Sequence, residues 1–182
     1  MKKLTLFLVL FTFSNLIILG QEDVREVVYQ DETSLGIGSG LEYGILGVNF
    51  NYFPIRNIGL SAGLGTSLGF VGWNLGTKIT ITSSKHKNLF TPYIIGLYGS
   101  NSGVIVDNTP SLNNIFYGFS LGVGTDIRFK PRSRSSFSLT LFDSFIPSAF
   151  NEYIKSHYIM VTSYPSNIRA SIGYKYTLSF KD

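Results

Sequence analysis

The sequence predicts an all-β protein, an eight-stranded antiparallel up-and-down transmembrane β-barrel. Three observations support this: apolar residues recur at every second position, small or polar residues separate them, and no long apolar run follows residue 20. A period of two indicates strands whose side chains alternate between two faces. The second face is too small and polar to form a protein core, so we expect the apolar face to meet lipid. Without transmembrane helices, a chain crosses a bilayer only as a closed barrel.

The N-terminus has the pattern of a secretory signal peptide. Lys2 and Lys3 provide the positive start, an apolar stretch follows, and Gly20 is a small residue before an acidic run. The alternative is a retained transmembrane helix, but this stretch is short for a span of about 20 residues. We therefore interpret residues 1–20 as a signal peptide, residues 21–32 as a short periplasmic leader and residues 33–182 as the barrel.

Four strands are predicted in the first half of the barrel, with apolar residues alternating against Gly, Ser, Asn or Lys. They are Ser34–Glu42, Leu46–Phe53, Ile58–Leu68 and Val71–Thr82. Pro54 starts the tight turn between the second and third strands, because proline presets the backbone angle that such turns need. A polar turn over residues 83–88 ends the fourth strand.

Four more strands follow, and the sixth has the longest regular alternation. They are Leu89–Gly99, Ile115–Lys130, Ser136–Phe145 and Asn167–Phe180. The fifth is less regular, since Pro92 must lie where the ladder needs no donor. Two long loops, residues 100–114 and 147–166, follow the fifth and seventh strands, and a helical turn is predicted at Ala149–Lys155.

The connections form two groups that alternate along the chain. The turns after the second, fourth and sixth strands are short and basic, and they include Arg56, Arg132 and Arg134. The long loops fall in the other group. Alternate connections of an up-and-down barrel lie on the same side, and outer-membrane barrels have short periplasmic turns and longer extracellular loops. The basic turns are therefore predicted to be periplasmic.

Composition limits the possible functions. The chain has no cysteine, which excludes disulfides, thiol nucleophiles and thiolate metal sites. Its formal charge of +4 falls by two, to +2, if Lys2 and Lys3 leave with the signal peptide. That balance does not indicate a nucleic-acid partner. No phosphate-binding loop or metal-ligand spacing is present, so no cofactor is expected.

These features resemble the small outer-membrane β-barrel proteins, the OmpA/PorT-like group. The resemblance covers nearly the whole mature chain and lies in the signal peptide, the eight amphipathic strands, the glycine-rich inner face and the aromatic-rich last strand. It implies a multi-pass protein of the Gram-negative cell outer membrane, with membrane lipid and the barrel-assembly machinery as partners. The group usually ends on an aromatic residue, whereas Phe180 is third from the end here.

Six charged residues fall on the glycine-rich face. A charge in lipid costs several kcal/mol, so these residues must point into the bore. We expect Glu42 and Arg169 to pair near the outer rim and the other four to lie in the periplasmic half. Two interpretations stay open, a structural network that fills the bore, which we favour, and a path for protons or small ions. The six are Glu42, Lys78, Asp126, Arg128, Arg169 and Lys175.

A catalytic site is weakly indicated. His157 with Asp143 and Ser144 would imitate the sites of barrel hydrolases, but a loop histidine in solvent is the simpler interpretation. Gly59–Gly63 and Gly118–Gly122 match the spacing of a nucleophile elbow, which requires a sharp strand-to-helix turn. Both matches lie within predicted strands. His86 falls in a basic turn, on the side of the membrane opposite to His157.

Aromatic residues near strand ends are expected to form interfacial girdles rather than a carbohydrate-stacking surface, because an aromatic ring with one wet end suits the membrane interface. The outer loops carry candidate recognition residues for an envelope or extracellular protein, Tyr153, His157, Tyr158 and Tyr164. The sequence thus predicts a non-enzymatic structural or surface-interaction barrel. The alternatives are a narrow porin-like channel for small solutes or ions, a loop-sited hydrolase and a soluble lipocalin-like barrel.

Overall fold

Eight antiparallel strands close into a barrel in the computed structural model of the protein. Each strand pairs with its neighbour along the chain, and the eighth pairs with the first through Ser39 and Ile172 at one end of their ladder. The structure describes residues 29–67, 70–81, 88–106, 109–131, 133–159 and 164–179. The predicted fold class is confirmed. The predicted signal peptide and His86 lie outside the described residues.

The observed strands follow the predicted ones closely in their middles and differ at their ends. The strand β1 starts at Tyr29, within the predicted leader, and β5 continues to Val104, into the predicted loop. The strands are β1 (Tyr29–Gly40), β2 (Ile45–Ile55), β3 (Ile58–Ser67), β4 (Phe70–Thr80), β5 (Phe90–Val104), β6 (Asn114–Arg128), β7 (Ser135–Ser144) and β8 (Ile168–Ser179).

The apolar side of the sheet faces outward, as the alternation predicts. Leu121, Leu139 and Ile172 are about half exposed, at 54%, 47% and 59% of their surface. The polar side lines the bore, where Lys78 and Lys175 are buried at 1% and 3% exposure. This arrangement is the reverse of a soluble lipocalin-like barrel, whose apolar residues would fill the centre.

The connection between β1 and β2 folds into the bore rather than away from it. The strand β1 ends at Gly40, and a short 3₁₀ turn, Leu41–Tyr43, has all three side chains buried. The chain can reverse there because Gly40 and Gly44 adopt positive φ angles of 108° and 62°. We call Leu41–Tyr43 the inserted turn. The prediction that the first strand runs through Glu42 is therefore wrong.

An α-helix, α1 (Ser148–Ser156), lies in the loop after β7. Phe150 and Ile154 of α1 pack against Val104 of β5 and Phe116 of β6. The extended ends of β5 and β6 thus form the platform on which the helix docks, which confirms the predicted helical turn. Within the described ranges, no helix is long and apolar enough to span a membrane.

Candidate functional site

The inserted turn is held by side chains from three strands of the barrel wall. Asn49 Nδ2 donates to the Glu42 carbonyl at 3.1 Å, and Asn74 Nδ2 donates to the Leu41 carbonyl at 2.7 Å. The Glu42 N–H donates to Ser171 Oγ at 3.3 Å. Buried backbone groups need such partners, because water is not available to them. The wall of the bore is therefore matched to the turn.

Glycines of the wall provide the space that the turn occupies. A side chain at Gly36, Gly38 or Gly173 would meet the ring of Tyr43, in each case at 3.3 Å or less. The ring lies along β1 and β8, where these glycines leave a flat surface. Glycine in a strand interior often marks such a close approach. The glycine-rich face thus lines the bore and also leaves the space into which the Tyr43 ring packs.

Leu41 extends the packing to the opposite wall. It belongs to a buried apolar cluster with four inward-facing side chains of β5 and β7, namely Tyr93, Ile95, Leu97 and Phe142. Leu41 and Tyr43 thus reach different sides of the bore, and Glu42 lies between them. All three residues are thus enclosed by the wall of the barrel.

Glu42 is the centre of a buried charge cluster. Its Oε1 accepts from Lys175 Nζ at 3.0 Å, and its other oxygen accepts from the hydroxyls of Thr140 and Tyr93. Asp126 Oδ1 lies 3.6 Å from the same Lys175 ammonium. We call the four charged residues Glu42, Lys78, Asp126 and Lys175 the bore cluster.

Lys78 completes the bore cluster from β4. Its ammonium donates to Asp126 Oδ2 at 2.8 Å and lies 3.4 Å from the centre of the Tyr93 ring. Two carboxylates and two ammonium groups thus face one another with no net charge. Buried charges persist when they are paired and hydrogen-bonded in this way. This pairing of charges favours a structural role for the bore cluster inside the barrel.

The predicted pairing of Glu42 with Arg169 is not present. The inserted turn carries Glu42 away from the outer rim and down to Lys175, which alternation along an uninterrupted strand does not predict. Arg169 instead donates to the carbonyl oxygens of Ser166, at 2.9 Å, and Asn101. Arg128 is buried in the same bore and donates to Thr91 Oγ1 at 3.3 Å.

A small polar cavity lies beside the bore cluster, away from the inserted turn. Its volume is about 20 Å³ and its lining includes Ser34, Asn51, Asp126 and Arg128. A cavity of this size has room for about one water molecule. The inserted turn thus packs on one side of the cluster, and this water-sized cavity lies on the other.

The candidate loop residues lie on and beside α1. The Tyr153 hydroxyl donates to the Leu112 carbonyl at 3.1 Å, so it ties the helix to the loop after β5. His157 Nδ1 lies 3.0 Å from Ser156 Oγ and from the Tyr153 carbonyl. Tyr158 and Tyr164 are exposed, at 92% and 65%, and His157 is exposed as well.

The hydrolase arrangement is not assembled. Asp143 and Ser144 are successive residues of β7 and therefore point to opposite faces of the sheet. Ser144 is fully buried in the bore, where it bonds to Ser120, while Asp143 and His157 are exposed. Both elbow-like matches lie within β3 and β6, which continue through them. No group of three metal-ligating side chains occurs among the residues that the structure describes.

Aromatic contacts occur at both ends of the outer surface. Trp73 stacks on Tyr117 at 5.3 Å between ring centres near the long-loop end, and Phe137 packs on Phe129 and Tyr174 near the turn end. Three other aromatic residues near strand ends lie in the bore, so the expectation that such residues form girdles is wrong for them. They are Tyr43, Phe53 and Tyr93.

Sequence reasoning missed the polar residues that hold the turn. Asn49 and Asn74 were recognised only as members of the polar face. They could have been recognised because an asparagine that points into the bore needs a buried hydrogen-bond partner. The neighbouring glycines leave room for a backbone segment that provides this partner. The bulge at Asn101 was missed because the predicted fifth strand ended two residues earlier.

The comparison with solved structures identifies the fold. No protein-family model matches the sequence, and no curated protein matches it. Among solved structures, the N-terminal β-barrel domain of Pseudomonas aeruginosa OprF is similar, with a TM-score of 0.54 and 12% identity. The similarity covers 82% of this chain and 98% of that domain. The chain therefore has the closed eight-stranded barrel fold of that domain.

Proposed function

We propose that this protein is a non-enzymatic outer-membrane β-barrel with a closed bore, which acts as a structural or surface-interaction module through its outer connections. The observation that carries the proposal is the inserted turn. Leu41, Glu42 and Tyr43 are buried at 4%, 0% and 0% exposure inside a barrel whose outer surface is apolar.

The outer surface supports a membrane location. Large apolar side chains are exposed along all eight strands, and a soluble protein rarely exposes contiguous apolar patches of more than a few hundred Å². In a bilayer the same apolar surface contacts lipid chains. Because the barrel is closed, no strand edge is left unpaired in the membrane. The resemblance to OmpA/PorT-like proteins and the fold shared with the OprF domain favour the outer membrane.

The contents of the bore favour a closed barrel rather than a channel. A conducting path needs a continuous space lined by groups that ions can leave as well as enter. Here the inserted turn is hydrogen-bonded to β2, β4 and β8, and the bore cluster pairs its charges with one another. The loops on the long-loop side, with α1, are then the part available to partners.

Conductance in planar bilayers tests the closed bore. The folded full chain should give no steady current above that of the bare membrane. The matched variant is a deletion of residues 41–43, which leaves Gly40, Gly44 and Ile45 as a three-residue connection between the paired Ser39 and Leu46. This variant should conduct, because the bore loses the side chains that block it.

Heat-modifiable migration on gels checks that both proteins are folded barrels. A steady ohmic current from the unmodified protein would contradict the closed bore and favour the channel. A folded deletion variant that stays silent would show that the inserted turn is not the seal. Partition of the folded chain into the aqueous phase rather than detergent would contradict the membrane location.

A further inference from the structure

The strands β4 and β5 are not paired with each other along their whole length. Their ladder ends on the long-loop side at Asn74 with Gly99. Both strands continue beyond that point, β4 over residues 70–73 and β5 over residues 100–104. In the part of the chain that the structure describes, β4 then pairs only with β3, and β5 only with β6. We call the interval between these two stretches the β4–β5 gap.

A β-bulge and a side-chain hydrogen bond mark the start of the gap. The pairing of β5 with β6 is regular up to Ser100 and resumes at Ser102, so Asn101 is the extra residue. Bulges bend a strand and can end its pairing with a neighbour. Across the gap, the Trp73 N–H donates to a side chain, Ser100 Oγ, at 3.1 Å. The regular ladder between β4 and β5 therefore stops at this level.

A cavity of about 340 Å³ adjoins the gap, and both sides of the gap line it, through Gly72 of β4 and residues 100–103 of β5. Small-molecule sites have volumes of about 300–1,000 Å³. Its lining also includes Arg169, on the inner face of β8, and Ile115, which shares the outer face of β6 with the exposed Tyr117. The cavity therefore reaches both the bore side and the outer side of the wall.

Apolar side chains with accessible surface line this cavity. Ile45 and Ile105 are 44% and 47% exposed. Ile45 directly follows Gly44 and has a positive φ of 87°, which is a strained conformation for a β-branched residue. Strain of this kind persists where the surrounding structure imposes it, and it is frequent at ligand sites. The exposed isoleucines favour an apolar occupant, because contact with water is unfavourable for them.

The position of the gap in the barrel identifies that occupant as lipid. The strand β4 has 11 residues, and a strand needs about 9–11 residues to span a bilayer. Residues 70–73 therefore lie within the spanning length. The outer surface beside the gap is also apolar, since Val71 is 69% exposed. Lipid chains are thus the apolar groups that meet the gap from outside, whereas a water-soluble ligand would have to pass the loops.

We propose that the cavity behind the β4–β5 gap binds an acyl chain of a membrane lipid, which enters sideways from the bilayer. The chain lies against Ile45, Ile105 and Ile115, and the lipid headgroup stays outside the wall. This inference rests on the membrane location in the proposed function but not on the closed bore. The experiment below reports on the membrane location and on the cavity through different residues.

Photolabelling of the folded full chain in phosphatidylcholine vesicles tests the proposal. The first probe is a phosphatidylcholine with a diazirine on one acyl chain, and mass spectrometry of the digested protein locates the label. We expect label at Ile45, and also at Leu121 and Leu139, which lie on the outer face. The second probe is a free fatty acid with the same diazirine. Both probes should label Ile45, because the chain enters from the bilayer.

A larger side chain at Gly103 should exclude the lipid chain. A side chain built there meets only the Asn114 carbonyl, at 3.6 Å, so the fold accommodates Gly103→Leu. Label at Ile45 from the phospholipid should fall about tenfold, because one methylene in an apolar pocket changes binding by that factor or more. The matched control on β5 is Gly96→Leu, which has open space and does not line the cavity, so label at Ile45 should stay unchanged. Ile105→Trp fills the cavity from another side.

Heat-modifiable migration confirms that each variant is folded, and three results would overturn the proposal. Label at Leu121 and Leu139 without label at Ile45 would mean that a membrane-inserted barrel admits no lipid chain to the cavity. Equal label at Ile45 in folded Gly103→Leu or Ile105→Trp protein would place the label outside the cavity. Label at Ile45 from the free fatty acid alone would mean entry from water. Loss of label at Leu121 and Leu139 would instead contradict the membrane location, and this proposal with it.

Discussion

Glu42 connects the inserted turn to the barrel wall through both its side chain and its backbone. It contacts Lys175 at 3.0 Å, accepts from Thr140 and Tyr93, and its backbone bonds to Asn49 and Ser171. Removal of one partner from a buried ion pair leaves the other charge without compensation, which is more damaging than replacement of both. The identity of Glu42 could be recognised from sequence, but its partner could not, because the partner depends on how far the turn enters the bore.

Glu42→Gln should lower the free energy of unfolding by about 3 kcal/mol, because Lys175 keeps only the longer contact to Asp126. Urea titration of the folded protein in lipid vesicles measures this. The double variant with Lys175→Met should be less destabilised than the sum of the two single variants. Glu152→Gln, on the exposed side of α1, is the matched control and should change stability by under about 0.5 kcal/mol. Equal effects of the two Gln substitutions would contradict the charge cluster.

Gly173 tests the contact between the inserted turn and the wall. An added methyl group there would meet the ring of Tyr43. Gly173→Ala should therefore destabilise the barrel by about 2 kcal/mol, as overpacked sites do. The control is Gly96→Ala, because nothing lies within 4 Å of a side chain built at Gly96.

The Gly173→Ala penalty should largely disappear in a Tyr43→Ala background, since the ring that causes the clash is absent. The same urea titration measures the coupling between the two positions. A full penalty in that background would mean that Tyr43 does not lie against β8, and an equal penalty for Gly96→Ala would mean that strand propensity rather than contact causes the loss.

At the scale of elements, the regular strands were predictable and their connections were not. Alternation in β6 from Ile115 onward defines both its extent and its two faces. The same alternation runs on through Leu41 and Glu42, so it gave no indication that β1 stops at Gly40. Likewise, the Asn, Ser and Gly residues after Gly99 favoured a loop, although pairing with β6 continues to Val104. Tertiary contacts decide these ends, and local sequence does not.

The helix α1 should detach without loss of the barrel. Phe150 is 2% exposed and packs edge-on against Phe116 at 5.5 Å. Phe150→Ala removes this contact, so the loop over residues 147–166 should be cleaved roughly tenfold faster by chymotrypsin, as locally opened segments are. Heat-modifiable migration should be retained. Glu152→Ala on the exposed side of the helix should leave the cleavage rate unchanged, and an unchanged rate for Phe150→Ala would contradict the docking.

At the scale of the molecule, the fold could be predicted from one property of the sequence, the alternation of apolar residues with small or polar ones. The apolar and glycine-rich faces could be assigned to the outside and inside from the cost of charge in lipid alone. That reasoning placed Lys78, Asp126 and Lys175 in the bore, where their side chains contact one another. It did not reveal that the turn enters the bore, because insertion of the turn requires shape complementarity between Tyr43 and the glycines of β1 and β8. Closure of the barrel brings these residues together from distant parts of the chain.

The outward orientation of the apolar face is the central claim, and the chain's one tryptophan reports on it directly. Trp73 lies on the outer face of β4 near the long-loop end, beside Tyr98 and Tyr117. Its fluorescence can be measured in vesicles of brominated lipids, whose bromines quench only on contact and can be placed at chosen depths. We predict strong quenching, greatest for bromines near the headgroup end of the acyl chains, with little effect of aqueous iodide. Emission that brominated lipids leave unchanged would contradict the account.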